Sequence, residues 1–140
     1  MKKIFLVEDN AGNAELTRLA FDTAGIDSEL LAAATAEAAM ALLSKGSLEV
    51  GKHVPDLILL DLKLPGIDGR DLIGKIKTDD RLRRIPVISM STSDAADDVD
   101  KCYDLHVNSY VRKPMDMNGF VNVIKAIDVF WFSVAELPSA

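Results

Sequence analysis

The chain contains one cysteine, Cys102, so no internal disulfide can form and a reducing compartment is the simpler expectation. Positive charge is also scarce. Sixteen Lys and Arg face 22 Asp and Glu, a formal net charge of −6, which argues against non-specific nucleic-acid binding because that requires basic surface to neutralise phosphates. The one basic cluster, Arg81, Arg83 and Arg84, stands beside Asp79 and Asp80 and reads as a solvated loop. Long apolar runs are missing too. After the charged start, Ile4 to Val7 is too short for a signal peptide and no run approaches the length that spans a bilayer, so a cytoplasmic protein without membrane partners is expected. There are no internal repeats and no low-complexity segments. His53 lies in a polar loop and carries no signal.

What is present is 49% hydrophobic content over 140 residues, enough core for one globular domain. Lys3 to Val7 reads as a buried strand. Asn13 to Ala24 follows as a helix with Leu16, Leu19, Ala20 and Thr23 at helical spacing and Gly25 as its stop. Glu29 to Ala34 suits a second strand, and Thr35 opens a helix that runs to Lys45 and is closed by Gly46. A polar stretch with Gly51 and Pro55 leads to "LILLDLKLP", Leu57 to Pro65, whose continuous Leu/Ile run is that of a strand buried on both faces. Beyond the turn "PGIDG", Asp71 to Lys77 is helical with Leu72, Ile73 and Ile76 inward. "IPVISMS" from Pro86 gives a fourth strand, "DAADDVDKCYDL" a helix on which Cys102 is an ordinary position, and "NSYV" a fifth strand. The last helix starts near Asp116 and runs past Trp131. Five short strands alternating with five helices describe one open, mostly parallel α/β sheet, in which ligands bind beyond the carboxyl ends of the strands.

Polar groups collect at those ends. The first strand ends in Glu8 and Asp9, the third in Asp61, the fourth in Ser91, and the fifth leads into Lys113. Three carboxylates on one rim would repel and raise one another's pKa. A hard divalent cation relieves this, and Mg²⁺ is the usual ion held by a few carboxylates with waters and phosphate oxygens. The same set suits phosphoryl transfer: a carboxylate can attack phosphorus to give an acyl phosphate, while a cation, a lysine and a hydroxyl stabilise charge on the equatorial oxygens. Asp61 is then the nucleophile, Lys113 the cationic group and Ser91 the hydroxyl. Taken singly, each residue has a plainer reading. Asp68 and Asp94 are helix or turn caps, Asp9-Asn10 and Ser91 can cap, and Lys113 can be surface. The joint placement at four strand ends is what chance does not readily give.

With "FLVEDN", "DLILLDLKLPGIDG", "VISMSTSD" and "NSYVRKP" in this order and spacing, roughly the first 125 residues resemble the receiver domain of two-component response regulators. The resemblance implies a flavodoxin-like (βα)5 doubly wound sheet of five parallel strands. It implies Asp61 as phosphoacceptor, Glu8 and Asp9 with Asp61 and the Lys63 backbone carbonyl as ligands of Mg²⁺ or Mn²⁺, and Lys113 as the phosphate-contacting lysine. Ser91 and Tyr110 become the switch residues, and the Lys113–Pro114 bond is expected to be cis. Lys63 stands where Asn is more frequent, and Ser91 where Thr is commoner. The segment "YDLHVNSYVRKPMDMNGFVNVIKAIDVFWFSVAELP" is similar to the C-terminal part of small stand-alone regulators that serve phytochromes. His106-Val107 replaces the Gly-Ala of most receivers and reads as a helix end in the left-handed region.

The tail adds one more expectation. Phe120, Ile124, Ile127, Trp131 and Val134 form a heptad-like seam, with Val123, Phe130 and Leu137 on a second line. Either the tail folds over its own domain or it buries this face against a second copy. A homodimer is the preferred expectation, with residues 1–128 as the receiver domain and 129–140 as an apolar dimerisation extension. The functional expectation is a signalling switch rather than an enzyme, phosphorylated on Asp61 by a histidine kinase, with a phytochrome as the candidate sensor. A receiver-like adaptor that is never phosphorylated is disfavoured by the intact acidic set. An aspartyl phosphatase of the haloacid-dehalogenase type wants an acid where Lys63 stands, and a flavin carrier would place its phosphate against Glu8-Asp9.

Overall fold

Consecutive leucines and isoleucines can be buried on both faces only inside a sheet, and Leu57 to Leu60 are fully buried there. The computed structural model, which describes residues 2–44, 55–63, 68–92 and 95–138, places this strand, β3 (Leu57–Asp61), at the centre. It pairs with β1 (Lys2–Val7) on one side and β4 (Val87–Ser91) on the other. β2 (Ser28–Ala33) and β5 (Ser109–Arg112) are the edges of an all-parallel sheet of order β2-β1-β3-β4-β5. Helices α1 (Ala11–Thr23), α2 (Ala36–Ser44), α3 (Gly69–Thr78), α4 (Ala96–Asp104) and α5 (Met117–Val129) complete the expected alternation. Gly46, Gly51, His53, Asp94 and the first three residues of "PGIDG", Pro65 to Ile67, lie outside the described residues.

The period of two along each strand divides the core. Ile4, Leu6, Leu57, Leu59, Ile88 and Met90 face α1 and α5, whereas Phe5, Val7, Ile58, Leu60 and Val87 face α2, α3 and α4. Helix starts follow the local chemistry, with side chains accepting the first free N–H groups: Asn10 from Asn13, Thr35 from Ala38, Asp68 from Arg70 and Asp116 from Gly119. At the end of α4, His106 takes φ +73° while its N–H donates to the Tyr103 carbonyl and that of Val107 to Cys102.

Two expectations about helix faces are corrected. On α1 the buried residues are Thr17, Ala20 and Phe21, while Leu19 is 45% exposed and Thr23 lies on the outer face. Thr17 can be buried because its hydroxyl donates to the Asn13 carbonyl, and Phe21, one turn on, is buried on the same face. On α5, Phe120, Ile124 and Ile127 do not line an outer seam. They are buried in the chain's own core with Phe21, Leu57 and Leu59, which removes them from any dimer interface.

The helix continues through position 128 into a π-helical turn, Phe130–Val134. Trp131 and Phe132 pack against the same core, and the Trp131 ring meets Phe130 edge-on at 5.0 Å. Lys2 Nζ holds this end, 3.3 Å from Asp128 Oδ1 and 5.3 Å from the centre of the Phe132 ring. The residues left outside are Val129, Phe130 and Val134, each more than half exposed, with Leu137 intermediate. Among the described residues no helix is long and apolar enough to cross a membrane.

Candidate functional site

Parallel strands deliver their carboxyl ends to one rim, and register decides which side chains meet there. Val7 lies opposite Leu60, so the next residues, Glu8 and Asp61, are neighbours; Asp61 in turn lies opposite Met90, and Ser91 opposite Arg112. The Lys113 N–H donates to the Ser91 carbonyl at 2.7 Å, which sets the lysine immediately beyond β5. Its ammonium turns back over the rim, with Nζ 2.5 Å from Glu8 Oε1 and 3.0 Å from Asp61 Oδ2. These three side chains are 3–12% exposed, so the cluster sits in a largely buried mouth rather than on open surface. Asp9 is exposed beside it. One carboxylate oxygen from each of Glu8, Asp9 and Asp61 lies within 4.8 Å of the others.

The electrostatics follow from that crowding. Burial, opposed by the Lys113 hydrogen bond and reinforced by the Asp61 carboxylate, pushes the Glu8 carboxyl up to about 7. Burial works against the Lys113 ammonium, but its bonds to Glu8 and Asp61 outweigh it and raise the pKa. One ammonium thus faces three carboxyl groups. An all-oxygen, anionic donor set of this kind fits a hard divalent cation such as Mg²⁺ or Mn²⁺. Beneath the cluster the void between Thr17, Leu59, Met90 and Phe120 has about 10 Å³, room for at most one water. Any larger ligand must approach from the outer side.

The chain after β3 is folded around Asp61. The Lys63 N–H donates to Asp61 Oδ1 at 3.1 Å while the Lys63 side chain is exposed. Gly69 opens α3 with its N–H on the Leu62 carbonyl; a Cβ there would stand 2.7 Å from Leu62 Cα and O and 2.9 Å from the Asp61 carbonyl. Only glycine lets the helix start so close to the acceptor strand. By sequence pattern Gly69 is an ordinary turn residue and Asn10 only a helix cap. Its N–H also points at Glu8 Oε2, at 3.4 Å. The "DG" after a turn was the available signal for Gly69, whereas nothing local announces a backbone approach.

Of the residues expected at the site, Glu8, Asp9, Asp61 and Lys113 come together. Ser91 ends β4 at the same rim and is 2% exposed. Tyr110 is half-buried against the core under α2–α4, one face away from the carboxylates. The expectation of a cis Lys113–Pro114 bond is corrected: the described residues contain no cis peptide. The trans form is the lower in energy for an X-Pro bond, and Lys113 reaches both carboxylates from it.

A central acid at the switch of a 2-1-3-4-5 sheet, flanked by an acidic pair and a lysine, defines a receiver. The profile of the response regulator receiver domain matches residues 4–125, and the chain belongs to that family of signalling proteins. Its relatives narrow the class. It is 39% identical over 99% of its length to the response regulator Rcp1 of Synechocystis sp., covering 95% of that protein. Among solved structures it is similar to the phosphorylated cyanobacterial phytochrome response regulator RcpA, with TM-score 0.89, 43% identity and 99% of each chain covered. The Mn²⁺-bound form of Rcp1 gives 0.86, with 38% identity over 99% of this chain and all of the other. The chain is thus a receiver-domain response regulator related to phytochrome response regulators.

Proposed function

We propose that this protein is a phosphorylation switch that takes a phosphoryl group from the histidine of a kinase onto Asp61. The observation that carries the reading is the position of Lys113, whose ammonium bridges Glu8 and Asp61 at 2.5 and 3.0 Å. In the transfer, an Asp61 carboxylate oxygen forms a bond to phosphorus as the bond from phosphorus to the histidine nitrogen breaks, and the electron pair leaves with the imidazole. Lys113 gives up one carboxylate contact for an incoming phosphoryl oxygen, and the Lys63 N–H holds the other Asp61 oxygen. Glu8, Asp9, Asp61 and the Lys63 carbonyl would hold Mg²⁺, with Mn²⁺ as an alternative, and the bound ion would supply positive charge to the developing equatorial oxygens. The Ser91 hydroxyl donates to the product, and Tyr110 follows it inward, changing the face of α4, β5 and α5 that a partner reads.

The printed name of the phytochrome response regulator RcpA supports a phytochrome-type kinase as the donor, and membership of the receiver family is consistent with a cytoplasmic compartment. A second copy is the partner proposed for the exposed strip Val129, Phe130 and Val134; sedimentation as a monomer at micromolar concentration, with and without phosphorylation, would refute it. The site assignment is tested by incubating the chain with Mg²⁺ and acetyl phosphate, reducing with borohydride and mapping peptides. Reduction of the acyl phosphate to homoserine at position 61 is expected, and reduction at any other carboxylate would overturn the assignment.

A further inference from the structure

The sheet has two open edges, and each is met by the polar tip of a side chain from a neighbouring helix. On β2, Arg18 of α1 donates to the Leu30 carbonyl at 3.1 Å. On β5, the phenolic oxygen of Tyr103, on α4, accepts the N–H of Tyr110 at 3.2 Å. Backbone direction explains the second contact. The Lys113 N–H points inward to Ser91, so by the alternation along a strand the N–H of Val111 points inward too and that of Tyr110 points outward. An outward N–H on an edge strand invites another backbone.

We propose that Tyr103 is a latch: in the resting chain its hydroxyl holds α4 on the open edge of β5 through the Tyr110 N–H, and it lets go when Asp61 is phosphorylated. The release rests on the phosphoacceptor reading above; the latch itself does not. Three features suit the role. Tyr103 is 48% exposed, so its hydroxyl can exchange this partner for water at little loss. The contact is at the long end of hydrogen-bond distances, and it grips the backbone of the residue whose ring sits against the α2–α4 core. Inward travel of that ring draws the N–H away from the phenol. Tyr103 touches no reacting atom and is a positioning residue.

The test is amide hydrogen exchange by NMR on the full chain, with Val111 as internal reference. Tyr103→Phe keeps the ring and removes the acceptor, and it should speed exchange at Tyr110 about fivefold with Val111 unchanged. Equal exchange in wild type and variant overturns the latch; a parallel rise at Val111 would report general loosening and overturn it too. Saturating the wild type with Mg²⁺ and beryllofluoride should produce the same rise at Tyr110. Protection that stays at its resting value while bound fluoride is seen by ¹⁹F NMR overturns the release. If no fluoride complex forms, the Asp61 reading fails and the release with it, while the variant still decides the latch.

Discussion

The two ends of the sheet are built on opposite terms. At the carboxyl ends, Glu8, Asp61 and Lys113 are packed into a largely buried mouth where burial holds the carboxyl of Glu8 up at about 7. At the amino ends, Lys2 pairs with Asp128 in partly solvated surroundings and lies over Phe132, while Trp131 extends the core. The first arrangement leaves charge unbalanced, and the second leaves little unpaired. The proposed function thus falls where the fold is electrostatically least content, and the C-terminal aromatic turn secures the opposite end.

This contrast can be broken by pH, by truncation and by single charges. The largest stability effect is expected from Glu8 in the metal-free chain. A carboxyl at about 7 when folded and 4.5 as its ordinary value binds more protons in the folded state, so stability falls as pH rises from about 4.5 to 7. The loss is about 3 kcal/mol. Urea unfolding in chelator should show it, Glu8→Gln should flatten it, and saturating Mg²⁺ should restore stability near pH 7.5. A metal-free chain that gains stability over this window would contradict the picture.

At the other end, Trp131→Ala should cost about 2 kcal/mol for a half-buried ring while Mg²⁺ affinity, read by titration, stays within twofold of wild type. A large change in affinity would show that the ends are coupled. His106→Gly relieves a left-handed residue in the α4–β5 turn and should raise the urea midpoint by the equivalent of about 1 kcal/mol. Smallest is Lys2→Met, about 0.5 kcal/mol at low salt and less in 1 M salt, because Lys2 and Asp128 are 36% and 25% exposed.

Much of this was legible because it is local. The apolar run of β3, the caps at Asn10, Thr35, Asp68 and Asp116, and the polar ends of four strands are written in short stretches. The alternation of strands and helices then brings Glu8, Asp61 and Lys113 to one rim. What was misread depends on what lies opposite. The spacing of Phe120, Ile124 and Ile127 marks an apolar stripe, but spacing does not say whether the stripe meets the chain's own sheet or a second copy. On α1, the helical spacing of Leu16, Leu19, Ala20 and Thr23 does not reveal that Thr17 satisfies its hydroxyl on the Asn13 carbonyl and goes inside while Leu19 and Thr23 stay outside. The π-helical turn after α5 and the approach of Gly69 to Leu62 are matters of backbone geometry, which side-chain patterns do not record.

The central claim, that Asp61 is the group the carboxyl-end rim exists to phosphorylate, is tested most directly by intact mass after incubation with acetyl phosphate. Wild type with Mg²⁺ is expected to gain the mass of one phosphoryl group and to gain none in chelator, and Asp61→Asn none in either. Equal modification of wild type and Asp61→Asn, or none of wild type with Mg²⁺ present, would contradict it.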